Sequence, residues 1–482
     1  MIDFSNYEPK KLFDYFQELS RVPRCSGYNQ EISDYLKAFA EKLGLPYYQD
    51  EKGNIIIYKE ATKGYEMSEP VMIQGHLDMV AAKTDDSTHD FTKDPIEMRI
   101  EDGWITADRT TLGADNGIAI AMAMLLLESE DIPHPALEVV MTVDEEIGML
   151  GADFLDASKM QARKILNIDS EEEGVITVGC AGAVDCNVSF PVIRETISGV
   201  RYEYVVDGLL GGHSGNDIHL ERCNAANLTG RLLCEAAEQC DFRIVSLQGG
   251  SVTNAIMNKI VGEFVVNPAC AYEFEKKMAE SYAVVKKEFA VADPDLHLTL
   301  TRVGEGEVTA VSADDVKKII TYLHTVPQGA QNYSQEIKGL TQTSLNMGVV
   351  RLDETEFITR SMIRSSVNSQ KRDVCRKVKE LVEVFGGSAT FTGNYEAWEI
   401  NSDSKLLEVA LEAYETRFAA KAEVSAVHGG VECGKWAEKF GTIDAISIGP
   451  DMFGVHSVHE KVNIASVERS WVYVKAILAA CK

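Results

Sequence analysis

Apolar segments with the look of buried strands end, one after another along this chain, in histidine or carboxylate. Val71 to Gln74 (VMIQ) runs into Gly75, His76 and Asp78. Leu137 to Val143 (LEVVMTV) runs into Asp144, Glu145 and Glu146. Ile165 to Ile168 (ILNI) ends at Asp169, and Ile443 to Ile448 (IDAISI) leads through Gly449-Pro450 to His456 and His459. Between the first two lies the longest strongly apolar run, Ile118 to Leu127 (IAIAMAMLLL), preceded by Asp115, Asn116 and Gly117. A helix is expected to start near Asn116 and carry that run. Strands alternating with helices argue for an α/β sheet, and in open α/β sheets ligands bind outside the carboxyl ends of the strands. Strand ends loaded with imidazole and carboxylate therefore point to a metal site, with donors that suit Zn²⁺, Mn²⁺ or Co²⁺.

Each cluster alone also has a plainer reading. His76 and Asp78 are equally a surface histidine beside an acid in a loop. Asp144-Glu145-Glu146 is also what a solvated acidic helix start looks like, favoured by the helix dipole. Asp115 could be only a helix cap. His456 and His459 lack the HExxH arrangement, and the Gly-Pro before them argues for a loop. Their joint placement at strand ends is what raises the metal reading above the others.

The rest of the chain sets the frame. At about 100–200 residues per domain, 482 residues make two to four domains. Tyr7 to Leu43 has helical periodicity broken by Pro23 and Gly27, and Asn54 to Tyr58 (NIIIY) reads as a strand. The character changes near Asp185. Extended segments such as Tyr202 to Val206 and Glu263 to Val266 alternate there with long charged helices, Tyr272 to Phe289 and Ser369 to Phe385. Lys405 to Phe418 then reads as an amphipathic helix. The expected organisation is a catalytic domain made of residues 1–185 and 396–482, interrupted by an inserted domain of residues 186–395.

A balance of 47 basic against 75 acidic residues, net -28, carries no basic footprint for nucleic acid or anionic lipid. It reads first as a solvated acidic surface. No apolar run approaches the ~20 residues that span a bilayer, so no membrane partner is expected. The ten cysteines are scattered without a Cys-x-x-Cys pair, and MIDFSNYEPKKLFDYF shows no basic-then-apolar leader. The expectation is a cytoplasmic protein with free, buried thiols.

Taken in order, GHLDMV (75–80), LGADNGIA (112–119), DEEIGMLGA (144–152), NIDSEEEG (167–174), GLLGGHSGNDI (208–218) and GPDMFGVHSVHE (449–460) form a pattern. It resembles the di-zinc metallopeptidase family of aminoacylases, glutamate carboxypeptidases and carnosinases. TSLNMGVV (343–350) and HGGVECG (428–434) strengthen a likeness to its aminoacyl-histidine dipeptidase branch. The resemblance implies a mixed-sheet α/β catalytic domain with an inserted α+β lid domain. It implies two divalent ions, zinc first, with cobalt or manganese possible. Asp115 would bridge them, His76 and Asp169 would complete one position, and Glu146 and His456 the other. Asp78 would orient His76, and Glu145 would be the general base and acid toward a metal-bridging water. In the inserted domain His213 would stabilise the oxyanion, with Asn254 and Arg364 holding the substrate; Glu432 would take the free α-amine of a dipeptide. A homodimer is possible by the same analogy.

Two departures matter. Thr253-Asn254-Ala255-Ile256-Met257 stands where relatives carry Arg-Asn-Ala-Ile-Pro, and His456-Ser-Val-His459-Glu460 where they carry His-Ser-Pro-Asp-Glu. The second alignment makes His456 the ligand and leaves His459 as an extra imidazole. The expected activity is hydrolysis of dipeptides, Xaa-His among them. The alternatives are an N-acyl-amino-acid deacylase or tripeptide aminopeptidase on the same scaffold and, in another class, a non-catalytic binding protein.

Overall fold

A computed structural model describes residues 2–482. The chain forms two compact units. One comprises the residues up to Gly179 together with Ile400–Ala426 and Val431–Lys482, the other Cys180–Glu399 with Val427–Gly430.

The first unit is built on an eight-stranded sheet. Its order is Tyr47–Gln49, Ile55–Lys59, Leu137–Thr142, Val71–His76, Lys164–Asn167, Asp444–Ser447, Val175–Cys180, Glu423–Val427. The four strands from Leu137–Thr142 to Asp444–Ser447 are mutually parallel. Val71–His76 and Leu137–Thr142 are buried along their whole length, as continuous apolar strands covered on both faces must be. Register sets the function of this layer. His76 lies opposite Thr142, and Gln74 and Ser447 both lie opposite Asn167. The carboxyl ends of the four strands therefore finish at one edge.

The apolar run forms the helix Ala114–Glu128, in which every residue from Asn116 to Leu127 is buried. A helix apolar all round belongs in a core, and this one packs on Val71–His76 and on the helix Lys10–Leu19. Truncating Ile118 or Leu126 to Ala is expected to cost about 2–5 kcal/mol. Asp115 and Asn116 depart from helical dihedrals, so the regular helix starts just after them. A second, four-stranded sheet of Met98–Glu101, Trp104–Ala107, Lys461–Asn463 and Met452–Phe453 makes residues 454–460 the connection of a short hairpin. His456 sits in that connection, outside any helix.

The second unit is a nine-stranded sheet. Its order is His297–Val311, Arg194–Asp207, Ile260–Val266, Phe242–Gly249, Thr341–Leu352, Glu356–Ser365, Gly182–Pro191, Ser388–Tyr395, with Gly329–Tyr333 paired onto Thr341–Leu352. The helices Ala225–Ala237, Ala271–Glu288, Ala313–Thr325 and Asn368–Val384 contribute to a core of Phe190, Tyr202, Tyr204, Phe242, Phe264, Phe274, Tyr322 and Phe357. The alternating burial of Gly182–Pro191 is the mark of a sheet packed mainly on one face. One expectation fails here. Cys240 and Cys270 are not free thiols but a disulfide, with Cα atoms 5.5 Å apart. The pair joins the segment after one helix to the start of the next, a proximity that a separation of 30 positions hides from the sequence.

Candidate metal centre

His76 is the last residue of its strand and is 1% exposed. Its Nε2 lies 3.0 Å from Asp115 Oδ1 and 3.4 Å from Asp169 Oδ1. His456 Nε2 lies 3.1 Å from Asp115 Oδ2 and 2.9 Å from Glu146 Oε2. Asp115 thus presents one carboxylate oxygen to each imidazole. Ligand atoms of His76, Asp115 and Glu146 lie within 4.8 Å of one another, a group that could hold a metal ion. His459 is exposed; His456 is the imidazole that faces the carboxylates.

Backbone geometry explains how segments so distant in sequence converge. Asp78 is fully buried behind His76. Its Oδ1 accepts the N–H of Glu145 at 3.0 Å, and its Oδ2 accepts the N–H of Glu146 at 3.2 Å and the hydroxyl of Ser26 at 2.8 Å. The same side chain faces His76 Nδ1 at 3.5 Å. One buried acid therefore orients the histidine and holds the loop that carries Glu145 and Glu146. That loop begins at Asp144 with φ 54°, and the Asp144 carboxylate accepts N–H groups from Gly27 and Asn29. Asp is one of the few residues that tolerates this left-handed conformation. Asn116 does a similar task between strands. Its Oδ1 accepts the N–H of His76 at 3.2 Å and its Nδ2 donates to Ile168 O at 2.6 Å. Gly75 makes room for it, since a Cβ there would stand 2.2 Å from Asn116 Oδ1.

The electrostatics suit bound cations. Burial works against a charge on His76, but Asp169, Asp115 and Asp78 outweigh it and push its pKa well up. Hydrogen bonds to Asp115 and Glu146 push His456 up to about 11. Burial would raise Asp115, yet the bonds from His456 and His76 hold it well below the usual carboxylate range. Asp169 is pushed up to about 6, first by burial and then by the neighbouring Asp115 and Glu146, against the pull of His76. Glu145 is raised well above its ordinary value by burial, with Asp169, Glu432 and Glu146 adding and His76 opposing. Carboxylates thus outnumber the groups around them that can carry positive charge. Glu146 Oε1 is buried without a hydrogen-bond partner. An orphaned carboxylate oxygen beside two imidazoles and two further carboxylates is a donor set that fits divalent ions.

Glu432 lies in the sheet layer near His76 and Asp169, with its Oε1 left without a hydrogen-bond partner. Its side chain is 0% exposed, accepts the hydroxyl of Thr142 at 2.8 Å and bonds Gln74 Nε2, both on the sheet. Burial pushes its carboxyl up to about 8, Asp169 adding to the effect.

In the inserted unit, residues 212–214 pair with 254–256, through Ile256 N–H to Gly212 O at 2.8 Å and Ser214 N–H to Asn254 O at 2.8 Å. His213 Nδ1 accepts the N–H of Gly215 at 3.3 Å and of Asn216 at 3.1 Å, which leaves the proton of the neutral ring on Nε2. Burial and then the charge of Arg364 lower its pKa. Arg364 is 6% exposed and donates to Ser214 Oγ at 3.4 Å and to the Tyr395 hydroxyl at 3.3 Å, with no carboxylate among these partners. Asn254 is exposed at the pairing edge. His428, the first residue of HGGVECG, lies in the same unit. This buried ring shares a 2.7 Å hydrogen bond with Ser344, and burial and Arg364 push it down to about 3.

With the geometry in hand, comparison with known proteins is decisive. A profile for peptidase family M20/M25/M40 matches residues 72–480. The chain belongs to that family. This M20 peptidase is 35% identical over 481 residues to the cytosol non-specific dipeptidase of Escherichia coli (strain K12), covering 99% of both chains. Its fold matches the crystal structure of aminoacylhistidine dipeptidase from Vibrio alginolyticus with a TM-score of 0.92 and 33% identity, over 99% of this chain and 98% of that one. An aminopeptidase from Bacillus cereus ATCC 10987 shares the fold at a TM-score of 0.57 and 17% identity, over 98% and 99% of the two chains. No helix among the described residues is long and apolar enough to cross a membrane.

Proposed function

We propose that this peptidase is a cytoplasmic, metal-dependent dipeptidase, with Xaa-His dipeptides among its substrates. The observation that carries the reading is Asp115, whose two oxygens face His76 and His456 separately while Asp169 and Glu146 stand beside them. The full-length likeness to two dipeptidases supports the substrate class. His76 and Asp169 would hold one divalent ion, Glu146 and His456 the other, and Asp115 both; zinc suits the donors best, with cobalt and manganese next. When bound, such ions supply Lewis acidity to a water and to the scissile carbonyl.

The chain's own groups do the rest. Glu145 takes the proton of the attacking water and delivers it to the leaving amine. A carboxyl with a raised proton affinity is suited to hold that proton between the two steps. Asp78 keeps His76 in place and fixes the backbone of Glu145. In the inserted unit we assign His213, with its Nε2 proton, to the developing oxyanion. Arg364 suits the free carboxylate of a dipeptide through its planar fork. Asn254 is assigned to the substrate backbone. A homodimer built through the inserted unit remains part of the reading by family analogy.

The test is direct. The purified protein is stripped with a chelator, single metals are restored, and dipeptides, a tripeptide and N-acetyl amino acids are assayed. Metal-restored cleavage of dipeptides above the other substrates is expected. Failure to cleave any of them would sink the enzyme reading, and preference for N-acetyl amino acids would replace it with a deacylase.

A further inference from the structure

The turn that delivers Asp115 is held by two buried charged side chains from opposite ends of the chain. Glu460 is 2% exposed and Arg24 3% exposed. Glu460 Oε2 accepts the N–H groups of Leu112 at 2.7 Å and Gly113 at 2.9 Å; its Oε1 accepts those of Ala114 at 2.7 Å and Asp115 at 3.3 Å. Four consecutive backbone donors thus converge on one carboxylate. Arg24 approaches the same turn through Gly113 O, to which its Nη2 donates. Its Nη1 donates to Leu77 O at 3.0 Å and Asp78 O at 3.2 Å, in the turn that follows His76.

Sequence details with no other explanation follow from this arrangement. A Cβ on Gly113 would stand 2.5 Å from Arg24 Nη2, and a Cβ on Gly117 2.7 Å from the same atom. The two glycines flanking Asp115 in LGADNG therefore clear a slot for the guanidinium. Glu460 also closes the hairpin connection that carries His456, its own N–H bonded to Ser457 O at 3.1 Å. The carboxylate thereby ties the His456 connection to the Asp115 turn, and the guanidinium ties the Asp115 turn to the His76 turn.

We propose that Glu460 and Arg24 are positioning residues of the metal centre. Together they fix Asp115 between the two imidazoles, so that both metal positions form as one unit. Neither touches substrate or a ligand atom; each acts through backbone. The charges matter as well as the shapes. A carboxylate accepts from all four N–H groups, whereas an amide at 460 would turn its NH₂ onto two donors. A lysine at 24 keeps the charge but lacks the planar fork that serves two turns at once.

The proposal rests on the two-metal reading, and the experiment separates the two. Chelator-stripped wild type, Glu460→Gln and Arg24→Lys are titrated with Co²⁺ alone. Visible absorption reports the ligand field and counts equivalents, circular dichroism reports folding, and kcat and KM are measured on one dipeptide after zinc loading. Wild type is expected to take up two equivalents. Both variants are expected to keep the wild-type dichroism and an altered cobalt spectrum, with metal affinity weakened about 10–100-fold, the range typical of residues that orient ligands. The expected kcat falls by a similar factor with KM nearly constant. A folded variant that binds two equivalents with wild-type affinity and spectrum overturns the proposal. If Glu460→Gln does not fold, Arg24→Lys decides by the same readouts. A wild type that binds fewer than two equivalents instead overturns the two-metal reading beneath it.

Discussion

Around His76 and His456 in the first unit and around Arg364 in the second, charge is buried in opposite ways. In the first, carboxylates from Asp115, Glu146, Asp169 and Asp78 surround two imidazoles, and negative groups outnumber positive ones. In the second, Arg364 is buried among the hydroxyls of Ser214 and Tyr395, beside imidazoles that its charge helps keep neutral. A buried charge persists only with compensation, and each unit leaves its compensation incomplete. The first leaves carboxylate oxygens such as Glu146 Oε1 unpaired, and the second has no carboxylate among the hydrogen-bond partners of Arg364.

The strongest way to break this contrast is at Glu145. Glu145→Gln keeps shape and removes the proton acceptor, so kcat is expected to fall about 10²–10⁴-fold. Its carboxylate is not among the groups assigned to hold metal, so metal content measured by atomic emission should match wild type. A variant with full turnover would remove Glu145 from the chemistry; one that loses metal would make it a ligand.

Arg364 tests the other half. Replacing it by Met removes a charge-assisted pair worth about 1.5–3 kcal/mol, or roughly 10–150-fold in KM for a dipeptide. A C-terminally amidated dipeptide lacks the carboxylate, so the same substitution should barely change its KM. Equal losses on both substrates would show that Arg364 serves the fold of its unit rather than the anion.

A third measurement sharpens the electrostatics of the first unit. In the stripped protein His76 and His456 are raised, the latter to about 11, by carboxylates that want cations. At neutral pH these rings hold protons that metal must displace, so metal affinity should rise with pH and uptake should release protons. Calorimetry in two buffers of different ionisation enthalpy reads that release directly. The sign for stability is the reverse. A histidine raised on folding contributes fully below its unfolded value near 6.5, and that contribution is lost as pH climbs toward 11. Stripped protein should therefore melt progressively lower between pH 7 and 10, and the metal-loaded protein should not follow it. Proton-neutral uptake would mean that the centre is preformed without its protons.

What the sequence disclosed of this contrast depended on where partners lie. His76, Asp115, Glu146, Asp169 and His456 were legible because strand ends and ordered motifs mark them locally. The parallel strands around Val71–His76 were legible as uninterrupted apolar runs. Arg24, Asn116 and Glu460 were not, because their partners are backbone atoms up to 348 positions away and no pattern of side chains advertises a backbone bond. The Cys240–Cys270 pair was hidden for a similar reason, since cysteines far apart in sequence carry no record of their distance in space. The burial of Glu432 was not legible either, because its motif indicates a polar site without saying how deep in the sheet layer the carboxyl lies.

Glu432 also offers the finest test. A surface carboxylate that grips a substrate amine and a buried one bonded to Thr142 and Gln74 respond differently to Glu432→Gln. In the buried setting the amide still accepts from Thr142, so the affinity ratio of a dipeptide to its N-acetylated form should change by less than about threefold, under 0.7 kcal/mol. Stability should change instead. The folded carboxyl titrates near 8 and an unfolded one near 4.3, so between those values the unfolded chain gives up a proton that the folded chain retains. Stripped wild type therefore loses stability as pH rises through that window. Glu432→Gln removes the group, so its advantage over wild type should grow from pH 5 to pH 8, at no more than about 1.4 kcal/mol per unit. Urea unfolding at the two pH values measures it. A flat difference, joined to a selective loss of dipeptide affinity, would make Glu432 the contact for the substrate amine.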